Sequence, residues 1–412
     1  MTDLGFVWRR RLKGLLWVAR LWAPLRAWQQ ERRIRSEQSY YERLARREGV
    51  VALDQEKVRA ALRERLSRRG IAPVPRPSGG LRIIYASEMS NWEGHQIPPA
   101  LAAFGQVTVY ALPERGFHPK EANWPSRRQE LDADLLAFIR EEHARQRVDV
   151  FVSYLSGGHV APETIRAIAE LGIVTCAFHW DDRLSFRGQI VAGRWTGPAD
   201  LASAYDLNMT NSHDSLIKYF VEGGLAIFWP PGANPDHFRP LDRPFEHDVS
   251  FVGACYGRRA AYIEYLRRRG VRVEAFGPGW PNGSISETEM VEVYARSRIN
   301  LGFSGIGYSM KETCLKGRDF EVPMSGALYL TTDQPDLYRV YDVGREVVTY
   351  RGKEECLQKV RYLLSHPEEC EQIRRAARKR CLQSHTWQGR FARLFQTLGL
   401  VDGQDGCMMK NQ

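Results

Sequence analysis

The sequence has no apolar run of eighteen or more residues, so it offers no candidate for a bilayer-crossing helix. Its seven cysteines, at 176, 255, 314, 356, 370, 381 and 407, are odd in number and include no CxxC pair. That argues against a disulfide scaffold or a structural zinc site and fits reduced thiols in a cytosolic compartment. GxSxG, HExxH, GxxxxGK[ST] and GxGxxG are all missing. Triad hydrolysis, zincin chemistry, a P-loop ATPase and a dinucleotide fold therefore lack their residues. The N-terminus also lacks the clean apolar core and small-residue cleavage site of a secretory signal.

What is present is a globular composition of 412 residues, 43% hydrophobic and 26% charged. That is about two ordinary domains. Lys and Arg outnumber Asp and Glu by 59 to 49, a net +10. The balance permits nucleic acid, anionic lipid or phosphorylated small molecules and selects none. The first 49 residues hold twelve Lys/Arg, five Asp/Glu and the tryptophans Trp8, Trp17, Trp22 and Trp28. Trp8, Leu12, Leu15 and Trp22 recur at helical spacing, with Arg9, Arg10, Lys13 and Arg20 largely on another side. Residues 1–70 thus read as a basic, amphipathic helical extension. Contact of residues 1–50 with an anionic membrane surface is one expectation, and packing on the chain's own domain or another subunit is the other. No recognisable nucleic-acid module accompanies the arginines, so nucleic acid is not an expected partner.

After a Pro/Gly-rich stretch at 70–80, short apolar runs at 81–85, 107–110, 148–154, 173–178 and 225–228 alternate with helical patterns at 131–145 and 161–171. Prolines at 230, 231, 235 and 240 interrupt the pattern. Strand runs at 249–252, 271–276, 299–302, 327–331 and 346–349 then alternate with helices at 258–269, 287–297 and from 320, before three helices at 353–365, 367–384 and 387–398. Such alternation predicts two doubly wound, mostly parallel sheets, at 81–240 and 247–384, followed by a final helix over 385–400. Ligands of open α/β sheets sit beyond the carboxyl ends of the strands.

Six sets of residues fall at or near those ends. Gly253-Ala254-Cys255-Tyr256-Gly257-Arg258 is a glycine-bearing turn at a helix start, suited to phosphate oxygens. Phe276-Gly277-Pro278-Gly279-Trp280 is a rigid turn that lets backbone approach a flat ligand. Lys316-Gly317-Arg318-Asp319-Phe320-Glu321 combines basic residues for a diphosphate with a carboxylate able to accept both ribose hydroxyls. In the first half, Glu88 precedes Ser90-Asn91-Trp92-Glu93-Gly94-His95, Ser156-Gly157-Gly158-His159 follows the third strand, and His179-Trp180-Asp181-Asp182 follows the fourth. His179 and the two aspartates lack a metal-motif partner, so no metal site is assigned. A divalent ion carried by a substrate diphosphate is compatible but not required.

The run Val249-Ser250-Phe251-Val252-Gly253, Arg258, Phe276–Trp280, Lys316–Ala327, Glu346, His366-Pro367 and His385-Thr386-Trp387 with Arg390 resembles the C-terminal domain of CgeB-like glycosyltransferases within the broader group 1. Trp180-Asp181-Asp182, Tyr205-Asp206 and Pro231-Gly232-Ala233-Asn234-Pro235 fit the same pattern more thinly, and residues 1–70 fall outside it. The resemblance implies a GT-B fold, two Rossmann-like domains facing a cleft. The second would bind a nucleoside-diphosphate sugar, the first an acceptor, and the last helix would cross back to the first. It makes Glu321 the ribose carboxylate, Lys316 and Arg318 the phosphate contacts, and Phe276–Trp280 the base pocket. Many retaining members carry a second glutamate eight positions before the ribose one; here Thr313 stands there, beside Glu312. The resemblance leans to a retaining outcome, whereas an inverting enzyme would need a base. The candidate catalytic residues are His95, Glu88, Asp181 and His179. No bound cofactor is required beyond the donor substrate. A lipid-linked or envelope acceptor and a cytoplasmic, peripheral location would suit the basic extension. A non-catalytic binding protein and a nucleotide-sugar isomerase on the same fold are the competing expectations.

Overall fold

The computed structural model describes residues 16–77, 79–89, 92–121, 123–180, 182–191 and 193–402. The chain divides into two compact units, Gln38–Asp236 with Arg380–Gln412, and Met1–Glu37 with His237–Lys379. We call them the first and second α/β units.

The first unit carries β1 (Leu81–Ser87), β2 (Gly105–Ala111), β3 (Val150–Ser153), β4 (Val174–His179), a small antiparallel pair β5 (Ile190–Val191) and β6 (Arg194–Trp195), then β7 (Leu207–Thr210) and β8 (Ala226–Phe228). The main sheet runs β2-β1-β3-β4-β7-β8 with every pairing parallel. β1 is buried at all seven positions. Its odd residues Leu81, Ile83 and Tyr85 enter one core, while Ile84 and Ala86 enter another with Phe151 and Leu135. A strand covered on both faces cannot alternate polar and apolar, so its sequence reads as one apolar run. The helix Trp387–Leu398 packs into the first of these cores through Phe391, Leu394, Phe395 and Leu398.

The second unit carries β9 (His247–Val252), β10 (Val273–Phe276), β11 (Ser297–Leu301), β12 (Tyr329–Thr332) and β13 (Val348–Tyr350). They form an all-parallel sheet in the order β10-β9-β11-β12-β13. Each unit is thus a Rossmann-like α/β layer structure, as the alternation implies.

Several boundaries differ from the sequence reading. Residues 92–102, where no helix was expected and where His95 was placed just after the first strand, form a helix, Trp92–Ala102, despite Pro98 and Pro99. Ile97 and Leu101, one turn apart, are fully buried, and Gln96 Oε1 accepts the Trp387 indole N–H at 2.8 Å. Tertiary burial outweighs the prolines there. The strand Leu207–Thr210 and the short helix Leu216–Val221 have no counterpart among the expected elements. Asn208 hides the strand pattern: it is buried because its amide donates to the Ala202 and Leu225 carbonyls.

Among the described N-terminal residues, Leu16–Glu48 forms a single helix of 33 residues. Ala27 and Ile34 are buried, as are Tyr41 and Ala45 further along. This part of the extension therefore packs on its own chain. Trp8, Leu12 and Leu15, the heart of the expected membrane stripe, lie outside the described residues.

Candidate functional site

In the second unit, the turns after β9 and β10 are built against each other. The Gly253 N–H donates to the Phe276 carbonyl at 2.8 Å, and the Cys255 N–H to the Pro278 carbonyl at 2.8 Å. Gly277, at φ +123°, lies so close that a Cβ would stand 2.6 Å from the Gly253 oxygen. Trp280 completes the joint by donating its indole N–H to that same oxygen at 2.7 Å. Its ring is buried edge-on to Phe251, centroids 6.0 Å apart. Phe276 is half-buried beside His247. Gly279, at φ +86°, rests on the Cys255 side chain. These residues shape the turns, and the Trp280 ring serves the core.

Arg318 crosses the front of this joint. A Cβ on Gly253, where φ is +149°, would lie 2.8 Å from its Nη1, so the missing side chain makes room for the guanidinium. The guanidinium carbon sits 5.3 Å from the Phe251 ring centroid, and Nε is buried with no hydrogen-bond partner among the described residues. Arg259 lies over the same ring at 5.4 Å and over Tyr256 at 3.8 Å, and donates to the Ala254 carbonyl at 2.9 Å. Burial, then the charge of Arg318, pushes the Arg259 pKa down to about 10. Among the described residues neither guanidinium forms an ion pair with a carboxylate. Two partly desolvated cations sharing one aromatic ring are an expensive arrangement that a dianion would relieve. Arg258, the arginine singled out from sequence, is exposed; the buried one is its neighbour. The helix phase that decides between adjacent arginines was not legible from spacing alone.

Glu321 is 9% exposed, and its Oε1 would stand 2.7 Å from a Cβ on Gly317. Gly317 thus lets the carboxylate lie back against the turn that precedes the helix Arg318–Met324. The charges of Arg318 and Glu321 are close enough to influence each other. Tyr294, raised above the usual phenol range by burial and then by Glu321, keeps a buried hydroxyl with no hydrogen-bond partner among the described residues nearby. Asp319 faces inward instead, accepting from the Tyr329 hydroxyl and the Lys316 N–H, both at 2.8 Å. It pins the turn, while Lys316 is half-buried. Glu312, beside the position where a second donor glutamate would stand, is paired with Arg35 at 2.8 Å. Thr313 bridges to Gly305.

In the first unit, Glu88 pairs with His159 at 2.8 Å through Nε2 and lies 3.9 Å from Lys120. His159 Nδ1 accepts the Ser156 N–H at 3.0 Å, so Nε2 carries the proton and donates it to Glu88. That bond holds the Glu88 carboxyl below the usual carboxylate range. His95 is exposed on the helix Trp92–Ala102. His179 is buried at the end of β4, its Nε2 without a partner among the described residues and its pKa lowered to about 3 by burial. It is therefore neutral near pH 7. Asp182 is pushed up to about 6 by burial; one oxygen accepts the Tyr219 hydroxyl at 2.9 Å and the other is buried without a partner among the described residues. Asp181 lies outside the described residues. Trp180 stacks on Trp229 and tilts onto Tyr154, Phe178 and Trp387. The segments Pro231–Pro235 and His385–Arg390, far apart in sequence, lock together. The Ala233 N–H donates to the His385 carbonyl at 2.9 Å, and Arg390 reaches both the Pro231 carbonyl and His385 Nδ1. Among the described residues, no group of three or more His, Cys, Asp or Glu could hold a metal ion.

Residues 258–396, about a third of the chain, match the family model described as glycosyl transferase-like. No curated protein matches. Among solved structures, a glycosyltransferase from Rickettsia africae aligns with TM-score 0.57 at 10% identity, over 77% of this chain and 98% of the other. A sucrose-phosphate synthase from Thermosynechococcus elongatus aligns at 0.55 and 12%, over 77% and 98%. Anabaena HepE in complex with UDP-glucose aligns at 0.53 and 12%, over 77% and 99%. The likeness extends over nearly the whole of each of these chains, and the fold is GT-B.

Proposed function

We propose that the protein is a glycosyltransferase that moves a sugar from a nucleoside-diphosphate donor to an acceptor, and that it is a CgeB-like enzyme of group 1. The observation that carries the reading is the Arg259–Arg318 pair, two guanidiniums on one phenyl ring with no carboxylate ion pair among the described residues. A donor diphosphate supplies two negative charges and several acceptor oxygens to that spot. Glu321, on the same turn as Arg318, would hold the ribose hydroxyls. As the glycosidic bond breaks, charge builds on the departing diphosphate, and fixed guanidiniums stabilise it without rearranging. The sugar carbon becomes oxocarbenium-like. The family match over 258–396 and the UDP-glucose bound to a protein of the same fold support this choice of ligand. A retaining course suits the first unit, where His179 is neutral but buried and Glu88 is already held by His159. A hydroxyl-rich, lipid-linked or envelope acceptor suits the aromatic and neutral polar groups around Trp180.

The test is mass-resolved screening of UDP-, GDP-, ADP- and dTDP-sugars with the full chain, its Arg318→Ala variant and its Glu321→Ala variant. Saturable donor binding that both substitutions weaken is the expected result. Normal binding and turnover in both variants would defeat these roles, and conversion of donor without an acceptor would make the protein an isomerase.

We also propose a cytoplasmic, peripheral location, with residues 1–50 against an anionic membrane face. Leu25 and Trp28 are exposed on the N-terminal helix, with Arg32 over the indole. Co-sedimentation with anionic vesicles should drop in Trp28→Glu; equal sedimentation removes the membrane from the reading.

A further inference from the structure

The N-terminal helix does more than pack. Its residues 26–35 belong to the second unit and grip one feature of it, the hairpin between Gly305 and Thr313 that leads from β11 toward Arg318. The Gln30 side chain acts as a two-sided clamp. Its amide donates to the Ile306 carbonyl at 3.1 Å and accepts the Tyr308 N–H at 2.9 Å. Glu31 accepts the Ser309 hydroxyl at 2.7 Å, and Ser309 in turn receives the Lys311 and Glu312 N–H groups, both at 3.0 Å. Arg35 pairs with Glu312 at 2.8 Å. Arg26 donates to the Tyr308 hydroxyl at 3.1 Å and lies over its ring. Four side chains of the extension thus replace water on the polar groups of one loop.

The tip of that hairpin, Gly307, is in the left-handed region at φ +56°, and a Cβ there would meet the Gln30 amide at 2.4 Å. Its carbonyl oxygen reaches the other way. It lies 2.7 Å from where a Cβ of Gly257 would stand, on the turn that carries Arg259. Downstream, the hairpin closes at Thr313, five residues before Arg318. One loop is therefore braced on the extension, touches the turn bearing one guanidinium and feeds the turn bearing the other.

We propose that residues 26–35 are a working part of the diphosphate site. They hold the Gly305–Thr313 hairpin and, through it, the spacing of Arg259 and Arg318, with Gln30 as the central positioning residue. The inference rests on the diphosphate reading for its ligand but not for the clamp itself. Two like charges do not hold a spacing by attraction, so the frame around them must set it. A backbone clamp made by one amide side chain is economical for this, since it fixes a donor and an acceptor of the loop together.

The experiment uses the full chain and two measurements. Hydrogen exchange of the unliganded protein should show faster exchange in 302–313 and 253–259 for Gln30→Ala and Gly307→Ala, and none for Arg32→Ala on the exposed side of the helix. UDP, GDP, ADP and dTDP are then titrated into each variant. For the nucleotide that binds, Gln30→Ala should raise Kd about three- to tenfold with unchanged melting temperature. Combined with Arg318→Ala, it should add almost nothing, because the frame has lost what it positions. Unchanged exchange in 302–313, or an unchanged Kd where Arg318→Ala weakens binding, overturns the proposal. If no nucleotide binds the unmodified chain, the diphosphate reading fails, and the exchange result alone decides whether the clamp exists. Arg35→Ala, at an exposed guanidinium, gives the same readouts should Gln30→Ala fold poorly.

Discussion

The two α/β units share an architecture and differ in what they gather at the carboxyl ends of their strands. The second collects charge: Arg259, Arg318 and Glu321 around glycine turns, with neither cation in a carboxylate ion pair among the described residues. The first collects aromatic groups and polar groups that are buried or already bonded: Trp180, Tyr154, a His179 that burial keeps uncharged, an Asp182 whose pKa burial raises to about 6, and a Glu88 held by His159. Neither pattern is required by a parallel sheet, which dictates only where loops converge. A cluster of cations suits a diphosphate, whereas aromatic faces and neutral donors suit hydroxyl-rich ligands that carry no compact charge.

The largest effect should come from removing the charge on one side of the comparison. Arg318→Ala should weaken nucleoside-diphosphate binding by about 2–4 kcal/mol, roughly 30- to 1,000-fold, by calorimetry. Its melting temperature should hold or rise, because the remaining Arg259 loses a buried like charge. A large loss of stability would mean that the pair is structural. Gly253→Ala leaves both charges but pushes Arg318 aside, since its Cβ meets Nη1 at 2.8 Å and the Phe251 ring at 3.0 Å. A loss of about tenfold in the same titration is expected.

The first unit is probed through stability and pH. Asp182 has a folded pKa of about 6 against 3.8, so the folded state holds its proton more tightly than the unfolded chain. Its contribution is fully favourable below 3.8 and is lost as pH rises through 6. Asp182→Asn should therefore stabilise the protein by about 1–3 kcal/mol at pH 7.5, and by much less near pH 4, in denaturant melts. His179 has the opposite sign. Its pKa falls from 6.5 to about 3, so it costs stability as pH drops below 6.5. His179→Phe should flatten the acid side of the stability profile by about 1–2 kcal/mol near pH 5. An unchanged profile would mean that water reaches the imidazole.

Much of this was open to sequence reading. The apolar runs of β1, β3, β4 and β9 announced buried parallel strands because both faces of such strands are covered. The glycines at 253, 277 and 317 and the charged KGRDFE run marked the turns. The strand Leu207–Thr210 was not readable, since its buried Asn208 and Thr210 look like loop residues until their partners are known. Nor was Arg259. Arg258 and Arg259 are chemically identical, and only the first turn of the helix Arg259–Arg268 decides which one faces Phe251.

By itself, then, the sequence determined the alternation of elements, the positions of the glycine turns and the excess of positive charge, because these depend on local periodicity and composition. The tertiary structure alone decided which arginines meet, that Glu312 belongs to Arg35, and that an amide at position 30 clamps a loop near 307. Those contacts join residues far apart along the chain. Their geometry is set by the packing of whole elements, which no local pattern encodes.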